Sequence, residues 1–142
     1  MTFARLLLIT ALAGAGGVHL WHVHERSVID RELLASADSN GFVSVVMAAG
    51  ASPDTVVVLA RLNGPSAQAK RADAMATQLS QVGIPIRRSN NYLATIHDRD
   101  QMPLLTRTNA VLGGEIPIVI INGMAKANPT VDEVTSEFRR GK

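Results

Sequence analysis

Two uninterrupted apolar runs, Thr55–Ala60 and Ile116–Ile121, constrain what this chain can fold into more than any other feature. Each is too short for a helix and too apolar to face water, which makes each a strand covered on both faces. Between them, Ala72, Met75, Ala76, Leu79 and Val82 fall on one stripe at helical spacing, in a helix that starts near Pro65 and stops at Gly83. The β-rich run Ile84–Arg88 follows. Strand, helix and strand make a crossover, so Thr55–Ala60 and Ile84–Arg88 are expected to lie parallel, with Pro85 near an edge or at a strand start.

The flanking segments extend this unit. Phe42–Met47 reads as a short strand ahead of it. After it, Asp98 or Asp100 caps a second helix, with Pro103 in its first turn, Met102, Leu105 and Leu112 on its apolar side, and Gly113-Gly114 at its end. Asn122-Gly123 favours a type I′ hairpin, so Met124–Ala127 should return antiparallel to Ile116–Ile121. Thr130-Val131-Asp132-Glu133 is a capping box that opens a last helix, with Val131, Val134 and Phe138 on one face. The order β, βαβ, α, ββ, α predicts an α/β domain over residues 42–142, a mixed central sheet flanked by helices. A chain of 142 residues has room for one such core.

Ahead of the domain, Met1–Arg5 is basic and Leu6–Val18 is apolar, the order of a secretory leader, and the apolar stretch continues to Val23. That is roughly 18 residues, the lower limit for a spanning helix. Residues 1–26 are therefore a signal anchor or, with Ala-rich sites available, a cleaved signal peptide. The domain is accordingly expected outside the cytoplasm, tethered to the membrane and facing the periplasm, or soluble there after cleavage. Trp21 with His19, His22 and His24 suits a membrane–water interface better than a metal site. Residues 27–41 read as a linker or short helix, with Val28, Ile29, Leu33 and Leu34 at helical spacing. The net charge of +2 is spread along the chain, without the basic face that nucleic acid requires.

Three local motifs in this order resemble the thioredoxin–glutaredoxin superfamily. Asn63-Gly64-Pro65-Ser66-Ala67 stands between strand and helix, where that family carries Cys-Pro-X-Cys, with Gly64 and Ala67 in place of the cysteines. Glu115-Ile116-Pro117 resembles the family's cis-proline segment, which lies beside the cysteine motif in those proteins. The Asn122-Gly123 hairpin and the Thr130 helix are similar to its closing ββα. The resemblance implies a thioredoxin-like fold and a cis Ile116–Pro117 bond.

The chain contains no cysteine. Thiol–disulfide exchange needs a thiolate and its partner sulfur, so that chemistry is excluded. The expectation is a non-catalytic domain without cofactor or metal, binding a protein segment or small ligand in a groove of Asn63, Gly64, Pro65, Ser66, Ala67, Ile116 and Pro117. A second reading is a glutathione binder of glutaredoxin or transferase type. Ser66 would sit at the helix N-terminus and stabilise an anion. Arg61, Thr130 and Asp132 would be its further contacts, although Thr130 and Asp132 also read simply as cap and first-turn acid. A third makes the chain a structural subunit of an envelope assembly, joined to a protein partner through small residues of its leader.

Overall fold

A computed structural model describes residues 28, 30–48, 50–60 and 66–142 of the chain. The leader at 1–26, and Arg61, Asn63, Gly64 and Pro65 among the candidate site residues, lie outside the described residues. The chain divides into two compact units, Met1–Ala35 and Ser36–Lys142. In the first, residues 30–35 are helical, with Leu34 exposed. No helix among the described residues is long and apolar enough to cross a membrane.

The second unit is a mixed α/β domain. Its strands are β1 (Val43–Ser44), β2 (Val56–Leu59), β3 (Ile86–Ser89), β4 (Ile118–Ile121) and β5 (Met124–Ala127). Its helices are α1 (Ala67–Gln81), α2 (Met102–Leu112, led in by a 3₁₀ turn over Arg99–Gln101) and α3 (Val131–Arg140). The sheet order is β1-β5-β4-β2-β3, with β2 and β3 parallel as expected for a crossover and every other neighbour antiparallel. β3 is an edge strand, where Pro85 just ahead of it removes no ladder bond.

Alternation along the strands assigns the two faces. On one, Val56 and Val58 of β2 and Val119 and Ile121 of β4 are buried against Ala72, Met75 and Leu79 of α1 and Val134 and Phe138 of α3, with Phe42 and Ile84 closing the ends. This is the main core. The other face carries Val57, Leu59, Ile118 and Ile120, with Arg87 and Ser89 beside them on β3 and Ala125 and Ala127 on β5. Among the described residues, α2 packs there, against β1 and β5. Among the described residues no helix covers the β2 and β3 half of this face, where Val57 is half-buried, short of the double coverage that the apolar run predicts, while Leu59, Ile118 and Ile120 are buried.

Other departures have local causes. The run Phe42–Met47 forms a two-residue ladder with β5, because Ser44 already faces Met124, the first residue of β5, and Val45 N–H meets the turn at Gly123 O at 2.8 Å. Val46 N–H donates to Thr108 Oγ1 at 2.9 Å and Ala48 N–H to Tyr92 Oη at 2.9 Å. In α2 the buried residues are Thr108 and Val111, while Met102 at the helix start is 48% exposed. Thr108 is tolerated there because its hydroxyl also donates to Leu104 O at 2.7 Å, leaving no polar group unpaired. Asp98 leads the 3₁₀ turn without a side-chain capping bond. Val82, the last residue of the expected α1 stripe, lies past the helix end and is 60% exposed.

The hairpin and last helix follow their sequence signals. Asn122 and Gly123 both adopt positive φ, 48° and 77°, which a type I′ turn requires. Thr130 and Glu133 exchange both capping-box bonds. The Ile116–Pro117 peptide is cis.

Candidate functional site

Strand register brings three chain segments to one end of the sheet. Leu59, the last residue of β2, pairs with Ile118, the first of β4, and Ile118 pairs with Ala127, the last of β5. The exit from β2 towards α1, the segment Glu115–Pro117 and the entry to α3 therefore share that end. Arg71 of α1 joins the first two, since its Nη2 donates to Ile116 O at 2.8 Å and meets Glu115 Oε1 at 3.3 Å. Asn128 N–H joins the third by donating to Pro117 O at 2.7 Å.

Of the candidate residues described, Ser66 is the N-cap of α1, its hydroxyl accepting from Ala69 N–H at 3.1 Å, and Ala67 is the first helical residue. Pro117 is fully buried, so Ile116 is the member of that pair that faces a pocket. Thr130 Oγ1 accepts from Glu133 N–H at 3.2 Å, and Asp132 is exposed in the first turn of α3. Glu133 is held below the usual carboxylate range by the Lys126 ammonium at 2.8 Å, helped by Thr130 N–H.

A pocket of about 250 Å³ opens beside this end of the sheet, on the half-face that α2 leaves uncovered. Its floor and one wall are Leu59, Ala60, Leu112, Ile116 and Ile118, and its other wall is Asn90, Asn91 and Tyr92. A second depression of about 240 Å³ adjoins it through Asn91 and Tyr92 and is lined by Arg87, Ser89 and Leu93. Tyr92 is the fixed point of both. Its hydroxyl donates to Val46 O at 2.6 Å and accepts from Ala48 N–H, pinning the loop after β3 to the segment after β1. Burial pushes the phenol pKa up, and the Ala48 N–H offsets this only in part.

No family model, curated protein or solved structure matches the chain. What the site can do is therefore argued from its own residues. Two polar residues beside the pocket, Tyr92 and Arg88, are tied into the fold rather than left to solvent. Tyr92 is half-buried and bonded on both sides of its oxygen. Arg88 reaches Asp73 Oδ1 through Nε and Nη2 at 3.0 and 2.9 Å and donates from Nη1 to Val58 O at 3.1 Å. The one available signal was the chain's single tyrosine within a polar stretch, an amphipathic ring that must rest on something apolar.

Among the described residues, no group of three His, Asp or Glu side chains could hold a metal ion. The other titratable cluster lies at the far end of α3. There Arg140 bridges Asp38 and buried Glu137 at 2.6 and 3.1 Å, and Asn40 Nδ2 donates to Glu137 at 2.9 Å. Its members satisfy one another, which marks it as a structural tie between the chain before β1 and the last helix.

Proposed function

We propose that residues 42–142 form a non-catalytic thioredoxin-like domain that takes up a small ligand or protein segment beside Ile116, and that residues 1–26 export it and tether it to the membrane. The parallel β2-α1-β3 crossover, the antiparallel β4-β5 hairpin and the closing α3, in the strand order β3-β2-β4-β5, support the thioredoxin-like part. The observation that carries the reading is the Arg71 bond to Ile116 O, which draws the N-terminal half of α1 to the Glu115–Pro117 segment beside an open pocket. In the resembled family the two segments flank the reactive sulfurs. Here no cysteine exists, so what remains is a concave, partly apolar surface suited to binding.

A thermal-shift panel on the full chain, with glutathione, small organic acids and short peptides among the additives, tests this. A ligand of the native state raises the melting temperature, and the rise should vanish in Ile116→Asp, which puts a charge on the pocket wall. A panel with no stabiliser, or one whose effect survives Ile116→Asp in the folded protein, contradicts the reading.

A further inference from the structure

The half of this sheet face that no described helix covers is polarised. At its inner end, Leu59, Ile118 and Ala60 form a buried apolar floor, with Ile116 and Leu112 beside it. At its outer end stands Arg87, on the same face of β3 and exposed. Its neighbour Arg88 is paired with Asp73, whereas the Arg87 guanidinium has no acidic partner among the described residues. Asn91 uses its backbone groups and amide oxygen with Ser89, and its amide N–H groups remain available at the junction of the two depressions. An apolar hollow with donors and one cation at its rim is the arrangement of a small-molecule site.

The backbone argues against an extended peptide here. Strand addition needs open main-chain acceptors and donors beside the groove. Ile116 O already accepts from Arg71, and Pro117 O accepts from Asn128 N–H at 2.7 Å. Both carbonyls beside the hollow are engaged, so a passing strand would have to turn to the outer edge of β3 instead. The Tyr92 hydroxyl is engaged too, so Tyr92 offers ring surface only.

We propose that this half-face binds a small apolar molecule carrying a carboxylate, with the apolar body on Leu59, Ile116 and Ile118 and the carboxylate at Arg87 and Asn91. The inference rests on the reading of this domain as a binding module and names its ligand class. No covalent step is involved, and the carboxylate is recognised by charge-assisted hydrogen bonds from the guanidinium.

Isothermal titration of 4-phenylbutyrate, and of the neutral 4-phenylbutan-1-ol, into the full chain in nonionic detergent tests this, with protein-free detergent as the blank. The acid should bind saturably. The alcohol should bind roughly tenfold more weakly, and Arg87→Gln should weaken the acid by a similar factor while leaving the alcohol unchanged. Arg87 is exposed on an edge strand, so the variant should melt as the wild type does. Equal affinities for acid and alcohol, an unchanged Arg87→Gln, or no saturable binding of either overturns the proposal. So does displacement of the acid by a capped extended peptide that binds Arg87→Gln as well as wild type, since that is strand pairing. Any of these results together with an Ile116-dependent stabiliser in the thermal-shift panel removes this ligand class alone and leaves the binding module standing.

Discussion

Asp38 and Glu137 show how two carboxylates of ordinary sequence acquire opposite behaviour from their surroundings. Burial works to raise Asp38, but the N–H groups of Phe42 and Asn40, with Glu137 and Arg140, favour its charged form and hold it below its ordinary 3.8. Glu137 is only 5% exposed, and burial pushes it above its ordinary 4.5, with the Asn40 amide offsetting in part and Asp38 adding to the rise. The signs follow from proton uptake. Asp38 adds stability as pH rises towards 3.8, whereas Glu137 binds its proton more tightly when folded and costs stability as pH rises past 4.5. Replacing Glu137 with Gln, which has no proton to lose, should flatten the fall in urea midpoint between pH 4.5 and neutrality. The same slope in wild type and variant would refute the assignment. Nothing in the sequence marks this pair, because its members stand far apart in the chain and meet only when α3 docks.

The long periodic segments were the legible elements. The α1 stripe, the β4 run, the Asn-Gly hairpin and the capping box each carry their signal within a few residues, and each forms close to its expected place. Elements set by distant partners were not legible. The segment after β1 is fastened by Thr108 and Tyr92, which take the Val46 and Ala48 amides, and neither is near it in sequence. Ser66 illustrates the same division at a candidate site. Its spacing from the α1 stripe marks a helix start, and the structure engages its hydroxyl as the cap of that helix. If capping is its whole role, Ser66→Ala should cost about 1 kcal/mol in unfolding free energy and Ser66→Asp should recover most of it. Ligand affinity should stay the same in both, as read by the titration above. A loss of affinity at unchanged stability would instead make Ser66 a contact of the glutathione-type reading.

For the molecule as a whole, the sequence makes the α/β class, the parallel β2–β3 pair and the β4–β5 hairpin readable, but neither the neighbours of β1 and β4 across the sheet nor the uneven covering of its faces. A continuous apolar run such as Thr55–Ala60 announces burial on two faces, yet which half of a face a helix covers depends on where α2 lands, and α2 lands over β1 and β5. The open half-face is the result, and the pocket beside Ile116 follows from it. The central claim, a thioredoxin-like scaffold whose sulfurs are absent, is tested most directly by restoring them. In the full chain, Gly64→Cys with Ala67→Cys puts two cysteines three positions apart in the sequence, and positions so spaced across a helix N-terminus lie roughly 5–6 Å apart at Cα, which suits a disulfide. No other cysteine complicates a thiol titration. Under mild oxidation the folded double variant should lose both free thiols to one intramolecular bond, while each single variant keeps its thiol. Two free thiols persisting in the folded double variant would contradict the account.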